Sequence, residues 1–365
     1  METTKTPFYA KASLIFIGLF AFFAMLYVAQ TVIVPVIYAI IFAIALSPLT
    51  DFFVRKKMNR IMAIALSLMI VLFTTVSLGV VLSSQMSVFS QTFPKLLDKF
   101  SETLNNAVNW ASQRFNISHF QLNKLIADTK SGMLNDGKAA IGTTFNTISR
   151  LLVVLVLIPV YIFMLLFYRP LLIEFVYRVF GPENRDEVHE VLVSTKTIIQ
   201  KYLSGLLLEA IIIATLNSLG LLLLGIDYAI IMGVIGAILN VIPFVGGIIA
   251  VALPVTIAFV TKSSLTYPLL VIVVYVIIQF IDNHYVIPKV VASKVKLNAF
   301  ISIVAVLAFG ELWGIAGMFL SIPITAIVKV ICDDIVALRP WGFLLGDTMP
   351  PISIFKLKLK KRNTA

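Results

Sequence analysis

The sequence predicts an all-α polytopic membrane protein with six full spans, two re-entrant helical hairpins and an extracytoplasmic helical insertion. Three observations lead there. Hydrophobic residues make up 59% of the 365-residue chain and charged residues 13%, against roughly 25% charged in soluble domains, so a water-soluble globule of this size would lack the charge to cover itself. The apolar residues fall in long charge-free runs of membrane-crossing length. Two of those runs are interrupted by glycine and proline.

A helix needs about twenty apolar residues to cross the hydrocarbon core. Ser13 to Ala29, Thr31 to Thr50, Leu151 to Tyr168 and Ser263 to Ile281 each supply one span, and Tyr202 to Ile226 supplies another with Glu209 as its only charge. The first run follows Lys5 and Lys11 as a signal peptide would. No small-residue cleavage site precedes Thr31 and a second apolar run follows at once, so the segment is expected to be retained. Ile61 to Pro94 is charge-free throughout, and its serines and glutamines from Ser83 onward place the end of the third span near Gln85.

Two stretches behave differently. As one helix the charge-free run 228–261 would be ~50 Å long, against a hydrocarbon core of ~30 Å. It is too long for one span and too short for two. Its middle holds Asn240, then Pro243, which removes a backbone donor, then Gly246 and Gly247, which permit a sharp turn. The run 297–328 repeats the situation, with Gly310, Glu311, Gly314 and Gly317 interrupting it. Both read as pairs of half-helices. Leu253-Pro-Val-Thr-Ile257 and Ile322-Pro-Ile-Thr-Ala326 also match, each with a glycine cluster upstream, which suggests an internal repeat. Paired Gly/Pro-broken segments point to a transporter's binding site, because irregular backbone survives at depth only where protein or water satisfies it.

Orientation follows from Lys and Arg in the short loops. Arg55, Lys56, Lys57 and Arg60, the lysines before the first span, and the tail from Lys356 to Arg362 all mark the cytoplasm, so both termini are expected inside. A re-entrant 228–261 then puts Lys289, Lys294 and Lys296 inside as well, and makes 297–328 a second hairpin of opposite orientation. Eight plain spans are the alternative, and they leave those lysines outside. The resulting organisation is 1–85, N-terminal spans; 86–149, extracytoplasmic amphipathic helices; 150–201, one span and cytoplasmic interfacial helices; 202–334, the transport core; and 335–365, a basic tail. In the insertion, Phe93, Leu97, Phe100, Leu104, Val108 and Phe115 recur at helical spacing. The net charge of +11 reads as attraction to anionic lipid, not to nucleic acid.

Chemistry-bearing motifs are few. One cysteine, Cys332, provides neither a disulfide nor a cysteine metal site, and His119, His189 and His284 stand apart with no HExxH pair. No phosphate loop or nucleophile elbow is present, so no enzyme, metal or cofactor is expected. What remains is polar groups at membrane depth: Glu209, Asn217, Asn240, Gln279 and Glu311. An intramembrane carboxylate invites a functional hypothesis, so Glu311, and next Glu209, are candidate proton or cation carriers; structural hydrogen bonding or pairing is the rival role. The half-helix ends at Pro243, Gly246 and Gly247, and at Gly310, Gly314 and Gly317, would offer free backbone groups to a small solute, with Asn240 adding an amide. Asp282, Asn283, Pro288 and Lys289 cluster where a span meets water, as a gate or as an ordinary helix end.

The C-terminal half resembles the autoinducer-2 exporter family of bacterial permeases. The resemblance is carried by Ile242-Pro-Phe-Val-Gly-Gly247, by Asp282-Asn-His-Tyr-Val-Ile-Pro-Lys289, and by Gly310-Glu-Leu-Trp-Gly-Ile-Ala-Gly317 leading to Ile322-Pro323. It covers about 202–334, and the N-terminal half in layout only. The chain departs from the family at Asn298-Ala299, where a His-Pro or similar pair is usual, and at Glu209, where a small apolar residue is usual. The resemblance implies a multi-pass bacterial inner-membrane protein that exports a small solute, such as the signal autoinducer-2, with sodium/proton antiport in some members and assembly into homo-oligomers. The leading expectation is a secondary transporter whose solute sits where the two broken segments meet, coupled through Glu311. A sodium/proton antiporter and a non-transporting scaffold are the alternatives.

Overall fold

The computed structural model describes residues 7–80, 102, 156–242, 246–262, 264–292 and 297–348. The insertion expected over 86–149 lies outside these apart from residue 102, as do Pro243, Phe244, Lys294, Lys296 and the part of the basic tail beyond residue 348. The fold is a helical membrane protein; among the described residues the sole β-bridge joins Leu297 to Gly346.

The elements are α1 (Phe8–Val28), α2 (Gln30–Arg55), α3 (Arg60–Val80), α4 (Val156–Phe167), α5 (Arg169–Phe180), α6 (Arg185–Leu223), α7 (Ala229–Asn240), α8 (Gly246–Thr261), α9 (Thr266–Ile281), α10 (Ala299–Asp334) and α11 (Arg339–Leu345). A π-helical segment, Asp282–Ala292, continues α9. Among the described residues six helices are long and apolar enough to cross a membrane, α1, α2, α3, α6, α9 with its extension, and α10. A further pair, α4 and α5, is bent by 66° about Tyr168, where Pro170 opens α5 and cannot continue the α4 hydrogen-bond ladder.

Both broken runs fold back on themselves. In one continuous helix Leu239 and Gly246 would be ~10 Å apart along the axis. Instead a Cβ built on Gly246 would fall 1.8 Å from the Leu239 carbonyl oxygen, so α8 returns along α7 and glycine is required at the contact. At 12 residues, ~18 Å by helical rise, α7 is too short to span. In α10 the backbone leaves helical geometry at Trp313 and at Gly314, whose φ of 63° and ψ of −146° suit only glycine. Its two ends meet at one place: the Asn298 side chain donates to the Gly346 carbonyl at 3.1 Å, while Lys329 lies against the same glycine. A straight helix from Asn298 to Lys329 would hold those two residues ~47 Å apart.

The core is organised around α6, which packs against α2, α7, α9, α10 and the π-helical segment. Its buried residues Ile199, Tyr202, Gly205, Glu209, Ile213, Asn217 and Leu221 recur at intervals of three and four and form one face. Gln200 donates to the Ile44 carbonyl at 2.8 Å and to Ser47 at 2.9 Å, tying α6 to α2. The two hairpins dock at different heights on this axis. The first covers the stretch around Ile213 to Leu221; the second covers Ile199 and Leu203.

Candidate functional site

Polar side chains from four elements converge where the first hairpin meets α6 and α9. α6 contributes Glu209 and Asn217, two turns apart on its buried face, and α7 ends on Asn240. Tyr275 and Gln279 come from α9, one turn apart, and Asp282 opens the π-helical segment two turns after Tyr275. In a π-helical turn the ladder runs from residue i to i+5, a local widening that often marks functional positions. Here its first residue turns inward.

The cluster is dry. Asp282 is 1% exposed, Asn217 2% and Glu209 6%. The Asn240 amide nitrogen donates to Asp282 Oδ2 at 2.8 Å and lies 3.5 Å from Glu209 Oε1, so one neutral amide stands between two carboxylates. Of the four buried polar side-chain atoms without a hydrogen-bond partner among the described residues, three lie here: Asn217 Oδ1, Tyr275 Oη and Asp282 Oδ1. Groups of that kind are rare in native interiors.

Beside the carboxylates lies a narrow cleft of about 10 Å³, close to the space one water molecule needs, lined by Asn217, Asn240, Tyr275 and Gln279 with Ile213 and Ile278 as its apolar walls. Two glycines keep it open. A Cβ on Gly236 would sit 3.2 Å from the Asn217 amide and 3.3 Å from the Tyr275 hydroxyl, and one on Gly247 would sit 2.4 Å from Gln279 Oε1. The cleft thus presents two amide side chains, a further amide shared with the carboxylates, and a phenol, with no cation among the lining groups. Such a set can hydrogen-bond a small polar molecule from several directions at once.

The structure brings together only part of the set read from the sequence. Glu209, Asn240, Gly247 and Asp282 meet, and Gly246 makes the turn that carries Asn240 there. Asn283 accepts a 3.4 Å hydrogen bond from Gln279 on the exposed side of the helix, and Pro288 and Lys289 are also exposed.

Among the described residues the two broken segments do not pack on each other as expected, and Glu311 does not reach the cluster. The break in α10 is held between α1 and α2 instead. The Trp313 indole donates to the Leu26 carbonyl at 3.1 Å and Tyr38 donates to the Ala316 carbonyl at 3.1 Å. Gly310 packs on Met318 and Gly317 on the Phe309 carbonyl, so these glycines serve the fold-back, while Gly314 has open space around it. Glu311 itself is exposed on the surface of the chain. The physical reason is that each hairpin docks on its own stretch of α6, so similarity between the two does not bring their tips together. Tyr275 escaped the sequence reading because one phenol in an apolar helix has no distinguishing mark. Its spacing of two turns from Asp282 was the available signal.

Comparison with known proteins places these features in context. Residues 15–337 match the AI-2E family transporter profile. A Bacillus subtilis protein named as a transport protein, YrrI, is 26% identical over 317 residues, covering 86% of this chain and 89% of that protein. A second from the same organism, YueF, is 23% identical over 329 residues, covering 87% of this chain and 88% of its own length. The AI-2 transport protein TqsA of Escherichia coli is 26% identical over 332 residues, with 87% and 90% covered.

Proposed function

We propose, from the premise that the chain belongs to the AI-2E transporter family, that this membrane transporter exports a small polar solute through the cleft between its first hairpin, α6 and α9. The observation that carries the reading is the convergence of Asn217, Asn240, Tyr275 and Gln279 on one cleft, two of them with buried polar atoms unsatisfied. A solute that hydrogen-bonds those atoms gains what the empty site lacks, because buried donors and acceptors left unmade are costly. The solute named for TqsA, AI-2, is the first candidate cargo.

In this reading the hairpins are re-entrant, opposite in orientation, and both termini lie on the cytoplasmic side of the bacterial inner membrane. The loop charges at Arg55, Lys56, Lys57 and Arg60 support that orientation. Transport is coupled to a proton or a sodium ion. The protein works as a homo-oligomer: α1 buries none of its residues within the chain, which leaves most of its surface for lipid or another copy.

The test is efflux from proteoliposomes loaded with autoinducer-2. Vesicles holding the protein are expected to lose the solute faster than protein-free vesicles, and Asn217→Ala together with Gln279→Ala is expected to slow the loss. Equal rates with and without protein would reject this cargo.

A further inference from the structure

The cleft and the carboxylates share one residue. Asn240 lines the cleft through its side chain and also joins Glu209 to Asp282, so the state of the acidic pair is felt at the solute-lining turn. Two ionised carboxylates around one neutral amide would lose their hydration and repel each other in a medium that screens poorly. The facing elements offer little charge to offset them, since α7, α8 and α9 contain no charged residue. The titratable groups nearby are two buried phenols: Tyr202, two turns before Glu209 on the same face of α6, and Tyr275 on α9. Lys289, on the π-helical segment, is exposed.

A single proton on the pair relieves it: one carboxyl is then neutral, and the Asn240 amide, 2.8 Å from Asp282 and 3.5 Å from Glu209, faces one negative charge instead of two. A metal cation between the carboxylates would want oxygen where the amide N–H groups point. The unpartnered Asp282 Oδ1, in a residue 1% exposed, is the second acceptor to which that proton can move.

We infer that Glu209 and Asp282, joined through Asn240, form a site for one shared proton whose presence holds the first hairpin against α6. The inference rests on the transport reading for its purpose, though not for its test. Loss of the proton leaves two like charges on either side of Asn240 and loosens the turn that closes the cleft. Binding of the proton restores the closed form.

The experiment is infrared difference spectroscopy of the purified full-length protein at neutral pH, without any solute. The carboxylic acid carbonyl band is compared between wild type and each of Glu209→Gln and Asp282→Asn. One protonated carboxyl per chain is expected, lost in both single variants, because either substitution removes the second negative charge that made the proton necessary. Two bands, each removed by only one variant, would mean two independent buried acids and would overturn the shared site; so would a spectrum unchanged in both. If a variant fails to fold, isotopic labelling of the glutamate carboxyls in a Glu311→Gln background gives the same decision. The band is expected to shift, and an unshifted band overturns the assignment. Autoinducer-2 efflux can fail while this band behaves as expected, or the reverse, so the two readings stand or fall separately.

Discussion

Asn240 and Asp282 are joined by a 2.8 Å hydrogen bond that links the tip of the first hairpin to the first residue of the π-helical segment. It is a part-buried contact to a carboxylate, and such bonds contribute about 1.5–3 kcal/mol. Asn240→Leu keeps the side-chain volume and removes the donor. It is expected to lower stability by about 2 kcal/mol. The measurement is thermal unfolding in lipid nanodiscs. An Asn240→Leu protein that unfolds with the wild type would show that the bridge carries no load.

Glycine is demanded at the two fold-backs and nowhere near as strongly in the outer helices. A Cβ on Gly246 would lie 1.8 Å from the Leu239 carbonyl, and one on Gly317 equally close to that of Phe309. Backbone must move to admit even a methyl group, at a cost of roughly 1–3 kcal/mol by comparison with overpacked cores. Gly246→Ala and Gly317→Ala are therefore expected to reduce the yield of monodisperse protein. Gly18→Ala and Gly79→Ala, with nothing within 4 Å of the added carbon, serve as the matched controls. Size-exclusion profiles of the four variants check this, and a normal Gly246→Ala profile would contradict the fold-back at α7 and α8.

Much of this fold was legible in the sequence, because hydrocarbon length is a strict ruler. The runs 228–261 and 297–328 fit neither one crossing nor two, and Gly246 and Gly317 do lie where each chain turns back. Glu209, Asn240 and Asp282 were each legible as polar groups in or beside apolar segments. Their meeting was not, since it depends on which face of α6 the hairpin covers. Glu311 shows the opposite error. Its depth along the chain made it prominent, yet depth says nothing about facing, and the docking of Trp313 on Leu26 leaves Glu311 outward. The departure at Asn298 also has a physical account: its side chain caps α10 by accepting from the Ile301 amide at 2.8 Å and holds the chain after α11.

That last arrangement yields a separate expectation. Asn298 donates to the Leu344 carbonyl at 2.7 Å and to the Gly346 carbonyl at 3.1 Å while serving as N-cap. Asn298→Ala removes all three contacts. An N-cap loss alone costs about 1 kcal/mol, and the greater effect should be local. The segment around α11 loses its tether to the start of α10, so limited proteolysis should cut it faster than in wild type, with the remaining helices intact. Equal cleavage rates would mean that the Leu297–Gly346 bridge, the Asn298 backbone bond to the Leu345 carbonyl and the packing of Gly342 on Asp333 suffice to hold α11.

Sidedness distinguishes the hairpin arrangement from eight plain crossings. Cys332 is the one native thiol and is buried, so Cys332→Ala gives a silent background for single cysteines. Lys262 follows α8, with its ammonium 5.5 Å from the Tyr267 ring, and Lys294 precedes α10. If the first run enters and leaves from the outer face, Lys262→Cys is labelled by an impermeant maleimide added to intact cells. Lys294→Cys is then labelled only after the membrane is opened. Eight crossings reverse both results, because each hairpin would then carry the chain to the far side. The lysines between α9 and α10 favour the first pattern, since cytoplasmic loops of this length carry the excess of Lys and Arg. Labelling of Lys262→Cys from the cytoplasmic side alone would therefore overturn the orientation of the hairpins and, with it, the direction from which solute enters the cleft.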